Sequence, residues 1–383
     1  MKEEEKIIVG ADESPINLEK TNAEKIEDMR AQMQHKLTRL EFNMTERCNA
    51  NCSFCANDLD LLKTAKGEVI SIEKIIELLD RVKPEIVNFT GGEPTLVREV
   101  LRRAIREATQ RGIVVQLDTN ALFLETEEID QLVGDGVKRF HISYSTTKQR
   151  FSQSRGVTER HFDTLERNIS YIAAIPNIQC LCECILHRGN FQDIPEIYKK
   201  CCELGVDEFQ IQPLMPVGKA DLSMVLPPRQ LASTIRGVFD MEDSDTPIKV
   251  WCSYVTQCSP HGNSVFVSRE KPKQSKIEVP KGITGMDAGC QEGWTRLHIH
   301  NNGDILICDI TKLVGPLGNV YRDDILDIYE NHPLLRQIRE TQPKDCECCR
   351  EWDNCHNVCP ILALDINESS PPKFSDWLEK NVK

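Results

Sequence analysis

From Leu37 to Gln212 six short aliphatic or β-branched runs alternate with longer stretches that carry apolar residues at helical spacing. LTRLEFNM (37–44), IVNFT (86–90), IVVQLDT (113–119), VKRFHISYS (137–145), IQCLCECIL (178–186) and VDEFQIQ (206–212) read as strands. Between them SIEKIIELLDRV, capped by Ser71, VREVLRRAIREATQRG, closed by Gly112, TEEIDQLVGDG, TERHFDTLERNISYIAAI and DIPEIYKKCCELG read as helices. Strand–helix–strand repetition imposes parallel pairing, because each helix returns the chain to the edge where the next strand starts. The crossover is right-handed. Six such units close into a partial barrel or lie open as a doubly wound sheet. In either architecture the active site sits at the carboxyl ends of the strands.

Two unusual loops fall at that end. Strand one runs into CNANCSFC (48–55), with Cys48, Cys52 and Cys55 spaced C-x3-C-x2-C, and strand two runs into TGGEPT (90–95). Most sulfur-ligated metal sites use four ligands. Three thiolates hold a [4Fe–4S] cube by three of its irons and leave the fourth open to a small chelating ligand. The cysteine spacing alone also fits a zinc loop. The paired glycines let backbone approach a ligand closely.

Composition narrows the setting. The N-terminal MKEEEKIIVGADE lacks the apolar core of a secretion signal. No run reaches the about 18 apolar residues of a membrane span. The expectation is a cytoplasmic protein that binds no membrane. In that reducing compartment its 17 cysteines point to metal or iron–sulfur ligation where they cluster, not to disulfides. A net charge of -13 argues against a broad nucleic-acid or anionic-membrane surface. Arg102, Arg103 and Arg106 interleave with Glu99 and Glu107 as a solvated helix face.

Past about residue 245 the alternation stops, and 252–290 is rich in Pro, Gly, Ser and Lys. The last hundred residues hold Cys290, Cys308, Cys346, Cys348, Cys349, Cys355 and Cys359. The expected organisation is an N-terminal extension (1–36), an α/β domain (37–245), a bridge (246–289) and a cysteine-rich domain (290–383). Cys180, Cys182 and Cys184 share one face of a strand and read as buried thiols, as do Cys201 and Cys202. Cys252, Cys258 and His261 are weaker metal candidates. His141 reads as a satisfied core histidine, and Gln210 or Gln212 as facing either substrate or packing.

The cysteine loop, its preceding strand, Phe54 before the third cysteine and GGEPT together resemble the radical S-adenosylmethionine superfamily. The resemblance implies a partial (β/α)6 TIM-like barrel. It implies that Cys48, Cys52 and Cys55 ligate a catalytic [4Fe–4S] cluster whose open iron binds S-adenosylmethionine. One electron then cleaves the sulfonium, and the resulting 5′-deoxyadenosyl radical abstracts hydrogen. Phe54 would pack near the adenine, and the backbone of Gly91, Gly92 and Glu93 would receive the methionyl amino group. Asn120 and Ser143 would contact ribose or carboxylate, and Arg155, in a loop, the carboxylate.

The C-terminal cysteines, Cys290-x12-Gly303-x4-Cys308 then Cys346-x2-Cys349-x5-Cys355-x3-Cys359, resemble the SPASM extension, which carries up to two auxiliary [4Fe–4S] clusters. By that resemblance Cys290, Cys308 and Cys359 hold one cluster, and Cys346, Cys349 and Cys355 the other. The family's last cysteine has no counterpart after Cys359. Asp365, Cys348 or a non-protein ligand would stand in, and Cys252 or Cys258 would close the first cluster. A zinc ribbon is the bland alternative. Trp294 and His298 fall in a strand pair around Gly303. Asp309, next to Cys308, stands where sulfatase-maturing relatives carry an acidic general base; the other reading is an aspartate that only accepts backbone hydrogen bonds near a negatively charged cluster. The resemblance thus implies an oxidoreductase that modifies or cross-links a peptide or protein side chain. The alternative is a dehydrogenase or epimerase acting on a small molecule or tetrapyrrole. An electron donor such as flavodoxin or ferredoxin is implied. With 36 residues before Leu37, leader recognition would fall to a separate leader-peptide-binding protein or to the core.

Overall fold

A computed structural model describes residues 36–56, 69–243, 245–246, 248–250, 292–308 and 315–340. Cys252, Cys258, His261, Cys290, Asp309, Cys346, Cys348, Cys349, Cys355, Cys359 and Asp365 lie outside the described residues.

The six strands form where the alternation places them: β1 (Arg39–Asn43), β2 (Ile86–Thr90), β3 (Val114–Thr119), β4 (Val137–Ser143), β5 (Gln179–Leu186) and β6 (Glu208–Pro213). All are parallel and each pairs with the next. They make the partial barrel. The helices between them are α1 (Ile72–Val82), α2 (Arg98–Gln110), α3 (Thr126–Asp135), α4 (Lys148–Arg155), α5 (Arg160–Ala174) and α6 (Ile194–Glu203). α1 shows why they form: Ser71 Oγ accepts from the Lys74 N–H, and Ile72, Ile75, Leu78, Leu79 and Val82 are buried along one stripe.

α4 has no counterpart in the sequence reading, which leaves Arg155 in a loop; the structure puts Arg155 at the last residue of this helix. Two more elements follow β6: α7 (Pro228–Phe239) and β7 (Ile248–Val250). β7 pairs parallel with β6, three residues past the expected limit at 245.

The strand pair around Gly303 is present as β8 (Arg296–Ile299) and β9 (Asp304–Leu306), antiparallel, with Gly303 in the turn at φ +88°. β8 also pairs parallel with β1, Arg39 opposite Arg296 and Glu41 opposite His298. With β10 (Gly318–Asn319) on β9, one ten-stranded sheet results, ordered β10-β9-β8-β1-β2-β3-β4-β5-β6-β7. α8 (Ile325–Asn331) and α9 (Pro333–Glu340) complete the described part.

The two faces of the barrel sheet differ. Leu40, Phe42, Val87, Phe89, Val115, Leu117, Phe140, Ile142, Phe209 and Ile211 pack outward into the helical layer and are fully buried. Cys180, Cys182 and Cys184 belong to this face and this core; Cys201, on α6, is buried in the same core, while Cys202, expected to be buried too, is half-buried against it. Burial pushes the Cys182, Cys184 and Cys201 thiols up, so they stay neutral and act as small hydrophobes. The alternate positions carry Arg39, Glu41, Asn88, Gln116, Asp118, Arg139, His141, Ser143, Glu183 and Gln210. These line the inner face.

Candidate active site

The loop after β1 is held by backbone on three sides. From the β2 loop, the N–H groups of Gly92 and Glu93 donate to Thr45 O (2.7 Å) and Arg47 O (2.8 Å). A Cβ at Gly92 would lie 2.3 Å from Arg47 O, and one at Gly91, whose φ is +135°, 2.6 Å from Thr45 O. The glycine pair is therefore required by loop-on-loop contact. From the end of α4, Arg155 O and Ser154 O accept from the N–H groups of Asn51 (2.8 Å) and Ser53 (2.9 Å). From the loop after β6, the Lys219 N–H donates to Cys55 O at 2.9 Å. The Lys219 ammonium donates to Asn51 Oδ1 and, at 3.3 Å, to Cys52 O. Sequence reasoning misses Lys219 and Gly218, where a Cβ would lie 2.2 Å from Ala56 O. The dipeptide at a strand's carboxyl end is the signal that marks them.

Cys48, Cys52 and Cys55 are half-buried thiols. The Ala50 N–H (3.4 Å) and Asn120 Nδ2 (3.8 Å) donate to Cys48 Sγ. Arg155 Nη1 donates to Cys52 Sγ at 3.5 Å. Burial pushes the Cys48 thiol up to about 12 against the pull of the Ala50 N–H. Such a thiol ionises when a cation replaces its proton, and N–H donors then stabilise the thiolate. Three half-buried cysteines on one loop, with N–H or guanidinium donors on the sulfurs of Cys48 and Cys52, therefore fit an iron cluster better than they fit isolated thiols.

The remaining expected cofactor residues surround this loop. Phe54 is buried, its ring 5.2 Å from that of His187 and 5.3 Å from the Arg155 guanidinium. Arg155 and Ser143 are brought together: Nη2 donates to Ser143 O (2.7 Å) and Oγ (2.9 Å). Asn120 Nδ2 also donates to Asn49 Oδ1 at 2.8 Å. The Glu93 side chain points into the protein. It accepts from Thr95 Oγ1 (2.6 Å), Thr119 Oγ1 (2.8 Å) and the Asn120 N–H (2.8 Å), tying the β2 loop to the β3 loop. Burial raises its pKa in spite of these donors. Cys308, just past β9, is buried. The other expected auxiliary ligands and Asp309 fall outside the described residues.

Below the loop, the inner face holds a charged group that the sequence reading assigns to ordinary core. His141 Nδ1 lies 3.4 Å from Asp118 Oδ1 and Nε2 3.9 Å from Glu183 Oε1. Burial opposes a charged imidazole, but Glu183 and Asp118 outweigh it and raise its pKa to about 9. Its side chain keeps 17% of its exposure on the inner face of the sheet. A second inner cluster joins Arg296 to Glu41 (3.1 Å) and Glu292 (2.9 Å), with His298 3.0 Å from Glu292. Among the described residues no helix is long and apolar enough to cross a membrane.

Comparison with known proteins accounts for both parts of the chain. Residues 42–201 match the Radical SAM superfamily, and residues 290–356 match SPASM, an iron-sulfur cluster-binding domain. An AdoMet-dependent heme synthase of Methanosarcina barkeri is 23% identical over 319 residues, spanning 81% of this chain and 86% of that protein. A PqqA peptide cyclase of Gluconobacter oxydans is 23% identical over 343 residues, spanning 85% and 87%. Among solved structures, Streptococcus suis SuiB bound to its precursor peptide SuiA has the same fold. Its TM-score is 0.65 at 19% identity, covering 91% of this chain and 80% of that one. SuiB has also been solved bound to S-adenosylmethionine. The chain belongs to the radical SAM superfamily, as an enzyme that uses S-adenosylmethionine and iron–sulfur clusters and carries a SPASM domain.

Proposed function

We propose that this enzyme abstracts hydrogen from a peptide or protein side chain and leaves an oxidised or cross-linked product. The observation that carries the site assignment is one cysteine loop pinned by backbone from the β2 loop, α4 and the β6 loop, with N–H and guanidinium donors on the sulfurs of Cys48 and Cys52. In this reading the three cysteines ligate the catalytic cluster. When bound, the reduced cluster supplies the electron that splits S-adenosylmethionine into methionine and the hydrogen-abstracting 5′-deoxyadenosyl radical.

The protein's part is placement. Phe54 packs against the adenine, and Arg155, held by Ser143, meets the methionyl carboxylate. The backbone of Gly91, Gly92 and Glu93 fixes the amino group, and Asn120 orients the ribose side of the site. The barrel (37–245) contributes this chemistry. The 290–383 region contributes auxiliary clusters on Cys290, Cys308, Cys346, Cys349, Cys355 and Cys359, with Asp309 as base. A polar lumen carrying donors and acceptors suits a peptide's amide groups, and similarity to a PqqA peptide cyclase across 85% of the chain supports that substrate class. The comparable similarity to heme synthases favours the second reading, a small-molecule or tetrapyrrole substrate. A flavodoxin- or ferredoxin-type donor supplies the electron in both readings.

Anaerobically reconstituted wild type is to be compared with a variant in which Cys48, Cys52 and Cys55 are all Ala. The variant is expected to lose about four irons per chain and all dithionite-dependent 5′-deoxyadenosine. Zinc in place of iron in wild type would sink the reading. Mass spectrometry of peptides incubated with the enzyme should show a loss of two hydrogens. The same loss from a tetrapyrrole, with none from peptides, would favour the second reading.

A further inference from the structure

Directly after β5 the chain turns through His187-Arg188-Gly189-Asn190, and the turn fixes one imidazole on several sides. Asn190 Oδ1 accepts from the His187 N–H (2.8 Å), and Asn190 Nδ2 donates to Ser145 O and Ile185 O (both 2.8 Å). His187 O accepts from the N–H groups of Asn190 and Phe191 (both 3.1 Å). The Gly189 N–H donates to His187 Nδ1 at 3.0 Å. That bond settles the tautomer. Nδ1 is an acceptor, so the proton sits on Nε2.

His187 is 6% exposed, and its Nε2 is buried with no hydrogen-bond partner among the described residues. A buried donor without an acceptor costs about 1–3 kcal/mol, so such groups are rare unless something else occupies the space. The ring stands 5.2 Å from Phe54; the Arg155 guanidinium stands 5.3 Å from the same aromatic. Arg155 Nε is likewise buried and without a partner among the described residues. Two unsatisfied donors thus flank one aromatic ring beside the cysteine loop, one cationic and one neutral.

We infer that His187 is a cofactor-binding residue whose Nε2–H donates to a neutral acceptor on the adenosine part of S-adenosylmethionine, a ring nitrogen or ribose oxygen. The inference rests on the cofactor placement proposed above and extends it to a residue that no motif marks. The division of labour follows from charge. A guanidinium is matched to the carboxylate, and a neutral imidazole to an uncharged acceptor whose desolvation is cheap. Burial, then the positive charge of Arg155, lower the His187 pKa to about 4. The donor therefore stays neutral at neutral pH.

The test is equilibrium binding of S-adenosylmethionine to full-length, anaerobically reconstituted protein, with iron content and circular dichroism measured alongside. His187→Phe keeps a ring against Phe54 and removes the donor; His187→Gln restores an N–H. The expected result is binding weakened roughly 3- to 10-fold in H187F, mostly recovered in H187Q, with iron content unchanged. The ratio of wild-type to H187F affinity should not vary between about pH 6 and pH 8. Wild-type affinity in H187F, or equal weakening in both variants, would overturn the inference and leave the placement of the cofactor standing. Absence of binding to cluster-loaded wild type would overturn both.

Discussion

Raising the pH from about 6 to about 9.5 is expected to cost the folded chain roughly 3 kcal/mol through His141 alone. The imidazole rises from its ordinary 6.5 to about 9 because Glu183 and Asp118 outweigh burial, and each pH unit of that gap is worth about 1.4 kcal/mol. The sign follows from proton counting. A group whose folded pKa is raised contributes stability that is complete below the unfolded value of 6.5 and disappears as pH climbs through about 9. Asp118 works in the opposite window. Its pKa is lowered from 3.8, so its contribution is complete above that value and is lost only in acid. Glu183, raised from 4.5 by burial, loses its contribution on rising pH, starting lower than His141. Arg139, two residues back on the same strand, also acts on the imidazole, and its charge opposes it. Reversible urea unfolding of the metal-free chain, followed by circular dichroism, isolates the effect when wild type and His141→Asn are compared at both pH values. The wild-type advantage should shrink by about 3 kcal/mol on going alkaline. An advantage that stays constant would refute the reasoning, because a neutral core histidine has nothing to lose there.

Two further outcomes are expected. Gly92→Ala places a methyl 2.3 Å from Arg47 O, a backbone contact that cannot yield without moving the cysteine loop. Iron uptake should fall nearly as far as in the triple cysteine variant while circular dichroism is unchanged, and normal iron content would count against the loop contact. Cys182→Ala should cost about 1 kcal/mol of stability with no iron lost, since its thiol lies on the outer, apolar face; loss of iron would contradict that assignment.

The strand and helix alternation is legible in the sequence because each amphipathic helix carries its own periodic stripe, as in α1. α4 is not, because KQRFSQSR buries only Phe151 and Arg155 and offers no stripe to read. The cysteine and GGEPT loops are legible as neighbours, since both follow strands at the same end of a parallel sheet. The charge on His141 is not. Its partners Asp118 and Glu183 lie on the two flanking strands, at distances that only strand register determines. Parallel strands buried on both faces usually read as continuous apolar runs. Here the inner face is polar, which the local sequence shows only as single charged residues inside strands. Pairing of β8 with β1 spans more than 250 residues and leaves no local trace. His187 escapes for a related reason: its significance is an unpaired atom, and composition does not record pairing.

The unbroken ladder from β10 to β7 bears on timing as well as shape. The cysteine loop hangs from the carboxyl end of β1, whereas Cys308 follows antiparallel β9, about 10 Å sideways across two strand spacings and toward the start of β1, since Leu306 is already level with Glu41. His300, just past β8, reaches back to within 3.3 Å of Glu46 in the cysteine loop. If both cysteine sites carry iron, the gap an electron must cross between them is built into hydrogen-bonded backbone. Its transit time would then be a constant of the molecule, the same in every turnover, like that of a soldered wire rather than of a swinging contact.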